Sequence, residues 1–200
     1  RAATIRAHGA LSAFGRQVVA EMNRLGMMVD LSHAAESTAL AAMAQSRSPV
    51  IFSHSGARVL ADTPRNLSDA TLRAVGQDGG IVMVPLVPYL TTTAHWRWWI
   101  SGEERYAALQ AAHPGDEAAI GRGMAEWDSA NPEPPVGVGD GADQIEHVAR
   151  VAGHDHVGIG SDFDGMGSFA IRGIPDASAL PELFAELQRR GWSRAQLDKL

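Results

Sequence analysis

The sequence predicts an α/β fold of parallel strands, about half of an eight-stranded (β/α)8 barrel of the TIM type, and three observations carry that reading. Short apolar runs alternate with helical stretches along most of the chain. The runs are nearly continuous rather than alternating, as in parallel strands covered on both faces. Each run also ends in a polar cluster, which is where a barrel of this kind gathers its functional side chains.

Taken in order, Ser12 caps a helix through Phe14, Val18, Val19 and Met22 to Leu25, with Gly26 as its stop. Met27 to Leu31 is the first strand. Ala34 to Gln45, rich in Ala with Leu40 and Met43, is a helix, and Pro49-Val50-Ile51-Phe52 the next strand. Ser68 caps a helix from Asp69 to Gln77, and Gly80 to Val84 is a third strand. Ala142 to Val151 forms a helix that ends at Gly153 and feeds a fourth strand, Val157 to Gly160. A helix from Leu180 to Arg190 follows, and Ser193 caps a last one. Four strand–helix units make half of an eight-fold barrel.

One stretch breaks this rhythm. Residues 88–140 hold Trp96, Trp98, Trp99, Trp127 and the prolines Pro132, Pro134 and Pro135, where a barrel needs only a loop and a helix. It reads as an insertion in a single catalytic barrel domain spanning 1–200, partly helical around Glu103 to Ala112. Long loops on that side cover or shape a site, but a packed excursion without chemical role fits equally well.

Composition narrows the chemistry. With 45% hydrophobic and 20% charged residues in 200, the chain has the material for a packed core. A net charge of −6 without basic runs argues against nucleic acid or an anionic membrane surface as partner and favours a small ligand. The chain has no cysteine, so thiolate catalysis and thiolate metal sites are excluded, and any metal must sit on His, Asp or Glu. No apolar stretch approaches the roughly 20 residues that span a bilayer. The first residue is Arg1 rather than Met, and the sequence reads as a piece of a longer chain whose compartment stays open: periplasmic or membrane-associated with a signal peptide upstream, otherwise cytoplasmic.

The strand-end clusters are Asp30-Leu31-Ser32-His33, Ser53-His54-Ser55 and Ser161-Asp162-Phe163-Asp164-Gly165. In a parallel barrel these ends share one face, so two imidazoles on adjacent strands can bind one ion, with a carboxylate or water completing the shell. Plainer readings stand beside this one. A single His after a strand is commonly structural, Asp162 and Asp164 could form an Asx turn into Gly165, and Arg65 could be a surface residue. His8, His95, His113, His147, His154 and His156 lack strand-end context and read as solvated or structural. The pattern by itself points to a metal-dependent hydrolase.

Four linked motifs go further: Gly26 to His33, Pro49 to Ser55, Arg65-Asn66 followed by Asp69, and Gly158 to Gly165. In wording, order and spacing they resemble the membrane (renal-type) dipeptidases, over nearly the whole chain apart from the Trp-rich insertion. The resemblance implies a (β/α)8 metallopeptidase of the amidohydrolase kind with two zinc ions, usually a homodimer, that hydrolyses dipeptides with a metal-activated hydroxide. It implies further that His33 and His54 ligate the second zinc, that Arg65 holds the substrate carboxylate, and that Asp162 handles a proton or the substrate amine. The family's His-x-Asp pair for the first zinc, its bridging glutamate and a substrate-binding histidine have no counterpart in these 200 residues, which are therefore not expected to act alone. Alternatives are a related amidohydrolase acting on another small amide, lactone or lactam, and a metal-free barrel used for binding.

Overall fold

A computed structural model describes residues 9–165 and 169–200. The first helix, α1 (Ala13–Leu25), begins where Ser12 Oγ accepts the Gly15 N–H at 3.0 Å and ends where Gly26 turns left-handed at φ 69°. It is followed by α2 (Glu36–Gln45), β1 (Ile51–Phe52), α3 (Asp69–Asp78), β2 (Ile81–Val84), α4 (Pro88–Thr91) and α5 (Thr93–Ala112). Then come α6 (Glu117–Ala130), α7 (Val138–Ala152), β3 (Val157–Ile159), α8 (Leu180–Arg189) and α9 (Arg194–Leu197). Ser68 and Ser193 cap α3 and α9 through their hydroxyls, as their positions predict.

The strands are parallel and lie side by side in chain order. β1 pairs with β2 at Ile51 and Ile81, and β2 pairs with β3 at Val82 and Val157 and at Val84 and Ile159. The stretch expected as the first strand, Met27 to Leu31, is reduced to a parallel bridge between Asp30 and Ile51, with Leu31 N–H on Ile51 O at 2.8 Å and Ile51 N–H on Val29 O at 3.0 Å.

The expectation of strands buried on both faces needs correcting. In β2, Val82 and Val84 are fully buried, whereas Ile81 and Met83 on the opposite face are only half-buried. The helices account for this. Leu72 and Val75 of α3, Ile145 and Val148 of α7, and Leu183 and Leu187 of α8 join Val82 and Val84 in one core.

Two boundaries moved. The helix expected from Ala142 starts at Val138, because the Asp140 carboxylate accepts the Gly137 N–H at 2.8 Å and anchors an earlier first turn. The insertion is helical almost throughout: α5 has 20 residues and α6 has 14, joined by residues 113–116. The apolar side chains of α5 do not gather on one face, which hides it from a periodicity argument. Its indoles pack locally instead, Trp98 against Trp127 with ring centres 5.6 Å apart and its Nε1–H on Asn131 O at 2.8 Å. His95 is fully buried beside them with Nε2 2.8 Å from Glu133, a structural role as expected.

Candidate metal centre

Two strand ends meet at the imidazoles. His33 follows the 29–31 segment, His54 follows β1, and their Nε2 atoms lie 2.8 Å apart. His33 reaches this place through a left-handed backbone at φ 68°, uncommon for a residue with a Cβ and typical of places where the surroundings dictate the conformation. The Ser32 hydroxyl accepts the His54 backbone N–H at 3.0 Å, which links the two strand ends directly.

Behind His54 stands a carboxylate–hydroxyl pair. Ser53 Oγ donates to Asp30 Oδ2 at 2.6 Å and lies 2.8 Å from His54 Nδ1. Burial by itself would raise the Asp30 carboxyl, but the Ser53 hydroxyl and the N–H groups of Ser32 and Ser53 hold it below the usual carboxylate range. Asp30 is therefore an acceptor only, and the one Ser53 hydroxyl proton is committed to it. Ser53 Oγ must then accept from His54 Nδ1–H, which leaves the His54 Nε2 lone pair facing His33. The His33 imidazole is pushed below its ordinary pKa by partial burial first, and then by the positive charge of Arg65.

The Arg65 guanidinium closes the cluster, with Nη2 3.1 Å from His33 Nε2 and donating to His54 O at 3.4 Å. Asp162, at the end of β3, also has a left-handed backbone, at φ 65°, and its negative charge bears on His33, Arg65 and Tyr89 together. Gly160 allows this approach, because a Cβ there would come 2.0 Å from Ser53 O. All four residues singled out from the sequence, His33, His54, Arg65 and Asp162, thus lie in one neighbourhood. Among the described residues, no group of three or more His, Cys, Asp or Glu is placed to hold a metal ion.

Sequence reasoning had assigned no role to Asp30, Ser53 or Tyr89. Asp30 and Ser53 lie within the strand-end motifs, and only their mutual geometry shows what they do. Tyr89, in α4, is half-buried, and its ring stacks on Trp99 at 4.8 Å.

A family model described as membrane dipeptidase (peptidase family M19) matches residues 1–200. The chain belongs to the membrane dipeptidase family. It is 38% identical to dipeptidase aclJ of Aspergillus oryzae over 186 residues, 93% of this chain and 35% of that protein. To dipeptidase 3 of Rattus norvegicus it is 35% identical, over 94% of this chain and 30% of that protein. The chain thus spans about a third of the length of these curated dipeptidases. Among solved structures, the probable dipeptidase PvdM from Pseudomonas aeruginosa superposes with a TM-score of 0.77 at 31% identity, over 97% of this chain and 52% of that one. A metallo peptidase from Rhodobacter sphaeroides, liganded with a phosphinate mimic of the dipeptide L-Ala-D-Ala, gives a TM-score of 0.73 at 26% identity, over 96% of this chain and 44% of that one. No described helix is long and apolar enough to cross a membrane.

Proposed function

We propose that this member of the membrane dipeptidase family is part of a zinc-dependent dipeptidase, in which His33 and His54 bind one of two zinc ions, Arg65 holds the substrate carboxylate and Asp162 handles the proton or amine of the scissile bond. The observation that carries the reading is the convergence of the His33 and His54 Nε2 atoms beside the Arg65 guanidinium, across two strand ends. Support comes also from relatives named as dipeptidases and from a structural neighbour bound to a dipeptide mimic.

The fold belongs to the same proposal. Strands running 29–31, β1, β2, β3 in unbroken chain order suit one side of a (β/α)8 barrel, whereas a doubly wound sheet would reverse order at a switch point. The half-buried faces of Ile81 and Met83 suit the interior of such a barrel, and Met27 and Met28, 53% and 67% exposed, lie beside the outermost strand segment. We assign residues 88–140 to an insertion in that single domain and, on the resemblance, a homodimer to the whole enzyme.

The donor set fits zinc as half of a shell. The His33 and His54 Nε2 atoms, 2.8 Å apart, are the two nitrogens that would hold one ion. Neutral imidazole is the ligating form, and the downward shift of His33 extends that form to lower pH. Among the described residues no third His, Asp or Glu joins the pair, and water or a carboxylate would complete the shell. Zinc supplies polarisation of the peptide carbonyl and a water acidic enough to attack near neutral pH.

The chain's own residues do the rest. Ser53 and Asp30 hold His54 in the tautomer that presents Nε2. A His33 Nε2 that ligates a metal has no lone pair left for Arg65, whose donors would then be free for a substrate carboxylate. Anchoring that carboxylate fixes the peptide bond at a set distance from the metals, and longer peptides misplace it. Asp162, whose negative charge bears on both Arg65 and His33, would bind the substrate ammonium or pass a proton to the leaving amine.

The test is metal content and turnover in the full-length protein. His33→Ala and His54→Ala should each remove about one equivalent of zinc and abolish dipeptide hydrolysis. Two equivalents retained in both variants would overturn the assignment.

A further inference from the structure

Two buried amides stand behind the candidate site without touching it. Asn66 and Gln144 are fully buried. Asn66 Oδ1 accepts the Gly56 N–H at 2.9 Å, and its Nδ2 donates to Ala61 O at 3.1 Å and Leu90 O at 2.8 Å. Gln144, projecting from α7, accepts the Ala57 N–H at 2.6 Å and donates to Thr91 O at 2.9 Å. A Cβ on Gly56 would lie 2.7 Å from Gln144 Oε1 and 3.1 Å from Asn66 Oδ1, so the chain passes here in contact with both amides.

What these bonds join is informative. The 56–67 loop starts two residues after His54, carries Arg65, and is closed on itself by Leu67 N–H to Gly56 O at 2.9 Å and Arg58 N–H to Leu67 O at 2.8 Å. The acceptors at Leu90 and Thr91 follow Tyr89, whose ring sits in the field of Arg65 and Asp162. A saturated buried network is rigid, since opening any of its bonds strands a polar group away from water. The network therefore couples the position of α7 to the loop that carries Arg65 and to the residues after Tyr89, whereas His54 is held by separate bonds from Ser32 and from the Ser53–Asp30 pair.

We propose that Asn66 and Gln144 are positioning residues for carboxylate recognition: they fix Arg65 and Tyr89 relative to His54, so that loosening either amide weakens selection of a free carboxylate while leaving the metal in place. The inference rests on the dipeptidase reading. Misplacement of a binding group by about 1 Å costs on the order of 100-fold in well-organised sites, which sets the scale of the effect.

Gln144→Met keeps the length of the side chain and loses its polar bonds, and Asn66→Ser is a smaller second perturbation, so one of them remains measurable if the other does not fold. In the full-length, zinc-loaded protein each should raise KM for a dipeptide about 10-fold or more, leave kcat within about 3-fold, and leave kcat/KM for the corresponding dipeptide amide within about 3-fold. Zinc content should not change, and affinity for a phosphinate dipeptide mimic should fall by the same factor as KM rises. Val148→Ala, a fully buried change elsewhere on α7, serves as the comparison: it should lower Tm without moving the acid-to-amide ratio. A ratio that stays at the wild-type value in both amide variants while Tm falls would overturn the positioning role and leave the dipeptidase reading intact. A wild-type enzyme that does not distinguish acid from amide would overturn both.

Discussion

Ser53 Oγ stands between Asp30 Oδ2, at 2.6 Å, and His54 Nδ1, at 2.8 Å, so that one hydroxyl decides which face of the His54 ring carries a proton. Removing it leaves the imidazole free to rotate or change tautomer, and groups of this kind are worth about 10-fold to 100-fold in metal affinity. Ser53→Ala should therefore weaken zinc binding by that factor while both equivalents still bind at saturating metal. A competitive titration with a chelator measures it, and unchanged affinity would show that His54 is oriented by other means.

Arg65 offers a sharper distinction among amide hydrolases. A guanidinium grips a carboxylate bidentately, an arrangement lysine does not reproduce, and a charge-assisted pair in a sheltered site is worth on the order of 2 to 4 kcal/mol. Arg65→Lys should lower kcat/KM for dipeptides by roughly 30-fold to 1000-fold at constant zinc content, with little effect on dipeptide amides. Equal losses on acid and amide would make Arg65 a structural residue, and equal wild-type rates on both would favour an amidohydrolase of other specificity.

Glu36 provides a pH dependence that belongs to stability rather than catalysis. Burial by itself would raise its carboxyl, but the hydroxyls of Ser68 and Thr71 and the Arg58 guanidinium outweigh that and hold it below the ordinary value. A carboxyl lowered in the folded state adds stability above its unfolded pKa of about 4.3, and that contribution is lost as pH falls through the lower folded value. Glu36→Gln should accordingly lower Tm at pH 7, with the gap to wild type closing below about pH 4. Melting curves across that range check it, and a gap independent of pH would assign the loss to packing.

Gly160 is a steric prediction. A Cβ there would lie 2.0 Å from Ser53 O and 2.8 Å from the Met83 Cβ, two places with no flexible side-chain end to yield. Gly160→Ala must push β3 away from the end of β1, and the expected result is a Tm loss of several degrees or more, or failure to fold, with Asp162 displaced from Arg65. A variant with wild-type Tm and activity would contradict the close approach.

The local elements were readable because their signals are local. Ser12, Ser68 and Ser193 cap the helices they precede, Gly26 ends α1, and the apolar runs at 50–52, 81–84 and 157–159 became neighbouring parallel strands. That His33, His54, Arg65 and Asp162 would cluster was also legible, since motifs at successive strand ends share a face once the strands are parallel. The helices of the insertion were only partly legible, because α5 spreads its apolar residues around its circumference and no periodic stripe announces it.

The remaining features were decided in three dimensions. No spacing rule connects Gln144 to Ala57, 87 positions apart, or His147 to Asp69, 78 positions apart, yet these pairs lie 2.6 Å and 2.7 Å apart. Asp30, 23 positions before Ser53, acquires its meaning only when a parallel bridge brings the 29–31 segment alongside β1. By itself the sequence determined which residues are candidates for the chemistry and which short segments become helix or strand, because capping, turn geometry and hydrophobic pattern act within a few residues. Only the tertiary structure decided what stands behind His54, which buried amides brace the Arg65 loop and which sheet face stays half open, because hydrogen bonds and burial depend on distances that the order of residues does not contain.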